Sequence, residues 1–146
     1  MREKIIEIAI KEVGYSEEKG NKTKYGKWFN LDGVPWCGIF CSWVYAEAGK
    51  PIKKGGYIKG FAGVGTLVES YKSKITKDPK IGDLVVFDWQ LDGKPDHVGI
   101  FNGWIQKEKS FKTIEGNTSP KDFSNGGMVM ECERRTGLVS CFISIL

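Results

Sequence analysis

At Pro79-Lys80-Ile81-Gly82 the hydrophobic pattern of this chain changes period. Before that point apolar residues recur at a helical spacing of about 3.6; after it they alternate with a period of about two. Helices written first and strands second, with short links, imply an α+β fold with one antiparallel sheet. Strands are expected near residues 84–89, 97–105, 111–115, 127–133 and 138–145. In the helical part, Ile5, Ile6, Ala9, Ile10 and Val13 form a stripe over residues 2–13 that Gly14 closes. Residues 15–22 read as a loop and 23–29 as a short helix. Pro35 introduces a helix over 36–48, with Gly49 and Pro51 as stop signals. That helix is apolar nearly all round (Trp36, Ile39, Phe40, Trp43, Val44, Ala46, Ala48), so it is expected to be the buried central one. A further helix is expected over 66–73. The glycine-rich stretch 53–65 is not a phosphate loop, because no strand precedes it and no Gly-Lys-Ser/Thr follows. No repeat or linker interrupts the chain, and residues 1–146 are expected to form one domain.

Charge and cysteine usage exclude several classes. The net charge is +4, with lysines interspersed among acidic residues. This suits an anionic polymer but is no nucleic-acid footprint. The apolar runs are far shorter than the roughly 18–20 residues of a membrane span. Acidic residues interrupt the amphipathic N-terminus and no small-residue cleavage site follows, so it does not read as a signal peptide; synthesis in a cytosol is expected. The spacing of the four cysteines shows no disulfide framework, and free thiols are favoured. The alternative is a Cys132–Cys141 pairing across a hairpin that turns at Arg134-Arg135-Thr136-Gly137. A zinc site is not expected, since no Cys-x-x-Cys knuckle or second histidine completes a shell.

Two residues carry chemistry. Cys37 falls in the first turn of the central helix, where unpaired amides and the helix dipole favour a thiolate. Cys41, one turn further in, lacks that help and reads as inert core. His97 is the only histidine, so any Cys–His chemistry must use it. It follows the turn at 91–96 and opens a strand. That strand and the one ending at Glu115 can pair around a turn near 106–108, placing positions 97 and 115 roughly opposite each other. A carboxylate there would orient the imidazole toward the thiol, with Asn117 as the alternative or auxiliary orienter. Cys37 would attack an amide carbonyl, His97 would move protons, and the Cys37 amide would supply one oxyanion donor. Read singly, each has a plainer meaning: Cys37 a buried structural thiol, His97 a satisfied edge histidine, Glu115 an exposed strand-end charge.

Four segments in order, Pro-Trp-Cys-Gly-Ile-Phe-Cys-Ser-Trp (35–43), Gly-Asp-Leu-Val-Val-Phe (82–87), Asp-His-Val-Gly-Ile-Phe (96–101) and Ile-Glu-Gly-Asn-Thr (114–118), resemble the CHAP family of cysteine, histidine-dependent amidohydrolases/peptidases, within the papain-like and NlpC-type group. Residues 21–28 resemble the upstream segment of phage-type members. The resemblance implies a papain-like fold, with helices packed on about five or six strands, and hydrolysis of bacterial peptidoglycan amide bonds. It maps Cys37, His97 and Glu115 onto catalytic positions and Asn117 onto a frequent fourth polar residue. A phage lysin is expected, made in the host cytoplasm and acting on the cell wall as a monomer, with no cofactor, metal, nucleic-acid or membrane partner. Many members carry Gln before the nucleophile where this chain has Trp36, which leaves the second oxyanion donor open. Residues 28–34 hold one carboxylate, so no calcium loop is expected there. The other readings are a catalytically idle wall-binding module and an intracellular thiol peptidase or acyltransferase of the same fold. Trp28, Trp36, Trp89 and Trp104 are candidates for stacking on substrate, with core packing the favoured reading.

Overall fold

The computed structural model describes residues 1–53 and 59–146. The middle of the glycine-rich connection, residues 54–58, lies outside the described residues. Helices α1 (Arg2–Lys11), α2 (Lys24–Phe29), α3 (Cys37–Glu47) and α4 (Val64–Ser70) precede strands β1 (Ile75–Thr76), β2 (Leu84–Phe87), β3 (His97–Gln106), β4 (Ser110–Thr118), β5 (Met128–Arg135) and β6 (Val139–Ile143). The strands form one sheet in the order β1-β6-β2-β3-β4-β5, every pair antiparallel. The chain is α+β, as the change of period implied. No helix among the described residues is long and apolar enough to cross a membrane.

Helix α3 is the buried centre. Thr23 caps α2 by accepting from the Gly26 amide at 2.9 Å, and Gly49 ends the segment after α3 at φ +83°. Against α3 lie Leu84, Val86, Val98, Ile100, Ile114, Val129 and Ile143 from one face of the sheet, with Ile5, Ile6 and Ala9 of α1. The contact is close: a Cβ on Gly116 of β4 would stand 2.7 Å from the Phe40 Cβ, so only glycine lets the strand lie this near the helix.

The second face of the sheet is buried too, for a topological reason. Only Thr136–Leu138 link β5 to β6, a reach of at most ~14 Å between Arg135 and Val139. Three strands separate β5 from β6, which in a flat sheet would set them roughly 19 Å apart. The sheet therefore curls. Its hollow holds Val85, Phe87, Phe101 and Phe111, packed with Trp89, Trp104, Val139 and Phe142. Burial on both sides explains why β2 reads Leu-Val-Val-Phe without alternation.

Several expectations are corrected. Ile10 and Val13 are 42% and 41% exposed, because α1 stops at Lys11 and the chain turns at Gly14 to bond the Val129 carbonyl. Helix α4 starts at Val64, not 66, and ends at Ser70 before a short 3-10 turn. The two-residue β1 is too short to register as a pattern. Residues 134–137 do not close a hairpin, since β5 pairs with β4 and β6 with β2. Cys132 and Cys141 therefore lie on strands that do not pair with each other, and all four cysteines are free.

Candidate active site

Cys37 is the first residue of α3 and 5% exposed. His97 is the first residue of β3, and both it and Glu115 of β4 are fully buried. By alternation His97 shares a face with Phe101, and Glu115 with Phe111, so both side chains stand on the hollow face of the curled sheet. The strands pair two residues out of the expected register. Ile100 faces Ile114, and continuing that ladder sets Glu115 against Gly99, diagonal to His97. Glu115 reaches the imidazole by crossing the place where residue 99 would carry a side chain. A Cβ on Gly99 would lie 2.6 Å from the Glu115 Cγ. Gly99→Ala is therefore expected to displace Glu115, cost about 1–3 kcal/mol of stability and lower kcat about tenfold or more. Urea unfolding together with a turnover assay checks both; an unaltered kcat would show that the carboxylate tolerates the shift.

The Nε2–H of His97 donates to Glu115 Oε1 at 2.9 Å. With Nε2 taken, Nδ1 is the ring nitrogen left for the thiol, and it makes no hydrogen bond of ordinary geometry to any described group. Burial pushes the Cys37 thiol up, but the charge of His97 and its hydrogen bond, with the Val98 and Gly38 amides, outweigh it and leave the thiol below its ordinary value. Burial pulls His97 down; the Cys37 charge and hydrogen bond, then Glu115, reverse this and raise it to about 9. Glu115 is pushed up by burial and held down by hydrogen bonds from Arg134 and His97 and by their charges, reaching about 2. The directions for Cys37 and His97 both favour the ionised pair, a thiolate beside an imidazolium, over the neutral one. Cys41 is driven well above its ordinary value by burial, by Cys37 and by Glu115, in keeping with its reading as inert core.

Three contributors were invisible to pattern. Arg134, expected in a turn, lies in β5 and donates from Nε to Glu115 Oε2 at 2.9 Å and from Nη2 to Oε1 at 2.7 Å. Thr113 Oγ1 also donates to Glu115 Oε2, and Gly99 gives Glu115 its path. The available signal for Arg134 was a cation in the series Met128, Met130, Cys132, Arg134, on one face of a strand.

Asn117 is fully buried but does not orient His97 through a hydrogen bond. Its Nδ2 donates to Asn125 Oδ1 at 3.0 Å, and its Oδ1 accepts from the Gly127 amide at 3.1 Å. With φ at +56°, it lies inside β4 where the pairing with β5 shifts register between Glu115 and Thr118, and it ties down the loop to β5. Trp36 does not fill the place of an oxyanion donor either. Its indole is buried against Tyr25, ring centroids 5.5 Å apart, and donates to Glu17 Oε1 at 3.0 Å. Trp89 and Trp104 likewise pack on Phe87 and Phe101. The described carboxylates near enough to share a cation are Asp88, Asp92 and Asp96, within 4.8 Å of one another. Each already accepts a backbone amide of its own loop, from Gly93, Lys94 and Trp89 respectively.

No curated protein matches the chain. A family model described as the CHAP domain matches residues 29–117, a span that runs from the end of α2 through Cys37 and His97 to Asn117. Matched over more than half its length by that description, with a buried thiol, imidazole and carboxylate gathered at one end of a curled sheet, the chain belongs to the CHAP family, whose members are amidases and peptidases directed at peptidoglycan.

Proposed function

We propose that this protein hydrolyses an amide bond of bacterial peptidoglycan with Cys37 as nucleophile, either at the N-acetylmuramoyl–L-alanine junction or within the stem peptide or cross-bridge. The observation that carries the reading is the buried line from Cys37 through His97 to Glu115. The Cys37 thiolate attacks the carbonyl carbon, forming an S–C bond while negative charge moves to oxygen. The Cys37 amide, at the first helical position and without a partner inside the helix, faces that charge as one oxyanion donor. The imidazolium of His97 passes its proton to the leaving nitrogen as the C–N bond breaks. Water then attacks the thioester, His97 takes its proton, and the carboxylic acid leaves with the thiolate restored. Glu115 keeps the ring in place through both half-reactions.

Activity follows a bell in pH. Below the lowered titration of Cys37 the nucleophile regains its proton; above about 9 His97 loses the proton that the leaving amine needs. Bond choice is assigned to the loops at 53–65 and 91–96, which flank the site in sequence. The likeness of residues 21–28 to phage-type members supports a role as a bacteriophage lytic enzyme, acting on the wall as a monomer. The test is digestion of purified walls across pH, with mass spectrometry of the soluble fragments. New amino termini on L-alanine identify an amidase, and termini inside the peptide identify an endopeptidase. Walls that release no new amino groups at any pH would end the proposal and leave an idle module.

A further inference from the structure

Arg134 lies beyond the span that the CHAP family description matches. In the β4–β5 register it stands opposite Phe111, and its side chain runs along the hollow face toward Glu115. Both ends of its fork are used on that carboxylate, at 2.9 and 2.7 Å, and the side chain is only 10% exposed. Its guanidinium carbon sits 4.5 Å from the Phe123 ring centroid, 5.1 Å from that of Trp89 and 5.9 Å from that of Phe87, so aromatic faces shield the pair from water.

We propose that Arg134 is a positioning residue for the reaction: it clamps both oxygens of Glu115 and supplies the charge that makes the buried site neutral. This rests on the Cys37–His97 reading above. A thiolate, an imidazolium and a carboxylate together carry one net negative charge in a space closed to solvent, and such an excess is costly to hold. The guanidinium cancels it. Without that cation, Glu115 would act on the thiolate with its full charge, and Cys37 would hold its proton to higher pH. Lysine can supply the charge but not the two-point grip.

The test compares wild type, Arg134→Met, Arg134→Gln and Arg134→Lys. Two quantities are measured: the pH dependence of iodoacetamide alkylation of Cys37, resolved by peptide mapping with Cys41 as internal reference, and kcat and KM on soluble peptidoglycan fragments. In the Met variant the alkylation midpoint is expected to rise by about one pH unit, with kcat at neutral pH about tenfold lower and KM within about twofold of wild type. The Lys variant is expected to return the midpoint to the wild-type value while kcat recovers only in part. If the Met variant does not fold, the Gln variant, which keeps a donor but no charge, decides by the same shift. A neutral variant that is folded and titrates like wild type overturns the proposal and reduces Arg134 to a brace of β5, and a Lys variant that titrates like the neutral ones does so too. Failure of the underlying reading looks different: wild-type Cys37 would then alkylate no faster than Cys41, whatever stands at position 134.

Discussion

Cys37→Ala is expected to stop wall clearing, with turnover falling by about 10⁴-fold or more while the protein stays folded. The substitution removes the proposed nucleophile and leaves the rest of α3 intact. Cys41→Ala, one turn further along the same helix, is expected to keep activity within about twofold at a cost of roughly 1 kcal/mol in stability, because that thiol is protonated core. Turbidity loss of purified walls, run beside thermal unfolding, separates the two. A second consequence is electrostatic. The Cys37 charge is the largest influence raising His97, so in Cys37→Ala the imidazole is expected to titrate below about 9. Wall clearing by Cys37→Ala at more than a few per cent of the wild-type rate would remove the thiol from the mechanism.

Glu115→Gln is expected to have the largest effect on stability. The carboxylate is completely buried between His97 and Arg134, so neutralising it leaves one buried positive charge without its counter-charge and costs about 3–5 kcal/mol at neutral pH. Turnover is expected to fall by about 10²–10⁴-fold as His97 loses its anchor, with the alkaline limb of the pH profile moving below about 9. The sign of the pH effect follows from the depressed titration. Glu115 titrates near 2 in the folded chain against the usual 4.5, so its stabilisation is complete above 4.5 and disappears as pH falls toward 2. Urea unfolding of wild type and Glu115→Gln at neutral and acidic pH reads this directly: the gap between them should close on acidification. A gap that stays constant down to pH of about 2 would mean that the carboxylate does not carry its charge in this arrangement.

The parts of the site that local pattern makes legible are those that depend on neighbours a few residues away. Pro35 and the apolar run behind it mark a helix whose first residue is Cys37, and the polar turn at 91–96 marks a strand whose first residue is His97. The register that sets Glu115 diagonal to His97 was not legible, because irregular pairing between Phe101 and Gln106 moves Glu115 from the place opposite Phe101 to the place opposite Gly99, and no alternation reports such a shift. Asn117 was legible as a polar residue near the site, but not as the one that ties down the loop at Asn125 and Gly127, since its left-handed backbone belongs to a register shift between Glu115 and Thr118.

Read along the chain alone, the residues yield the α+β class, Cys37 at a helix start and, since there is a single histidine, His97 as the imidazole any Cys–His chemistry must use. The curl of the sheet, the reach of Arg134 from its edge strand to Glu115, and the path that Gly99 leaves from Glu115 to His97 emerge only from the packed fold. The division has a physical cause. Periodicity reports which side of an element is apolar, whereas the curl is forced by joining β5 to β6 through three residues across three intervening strands. No window along the chain contains that constraint.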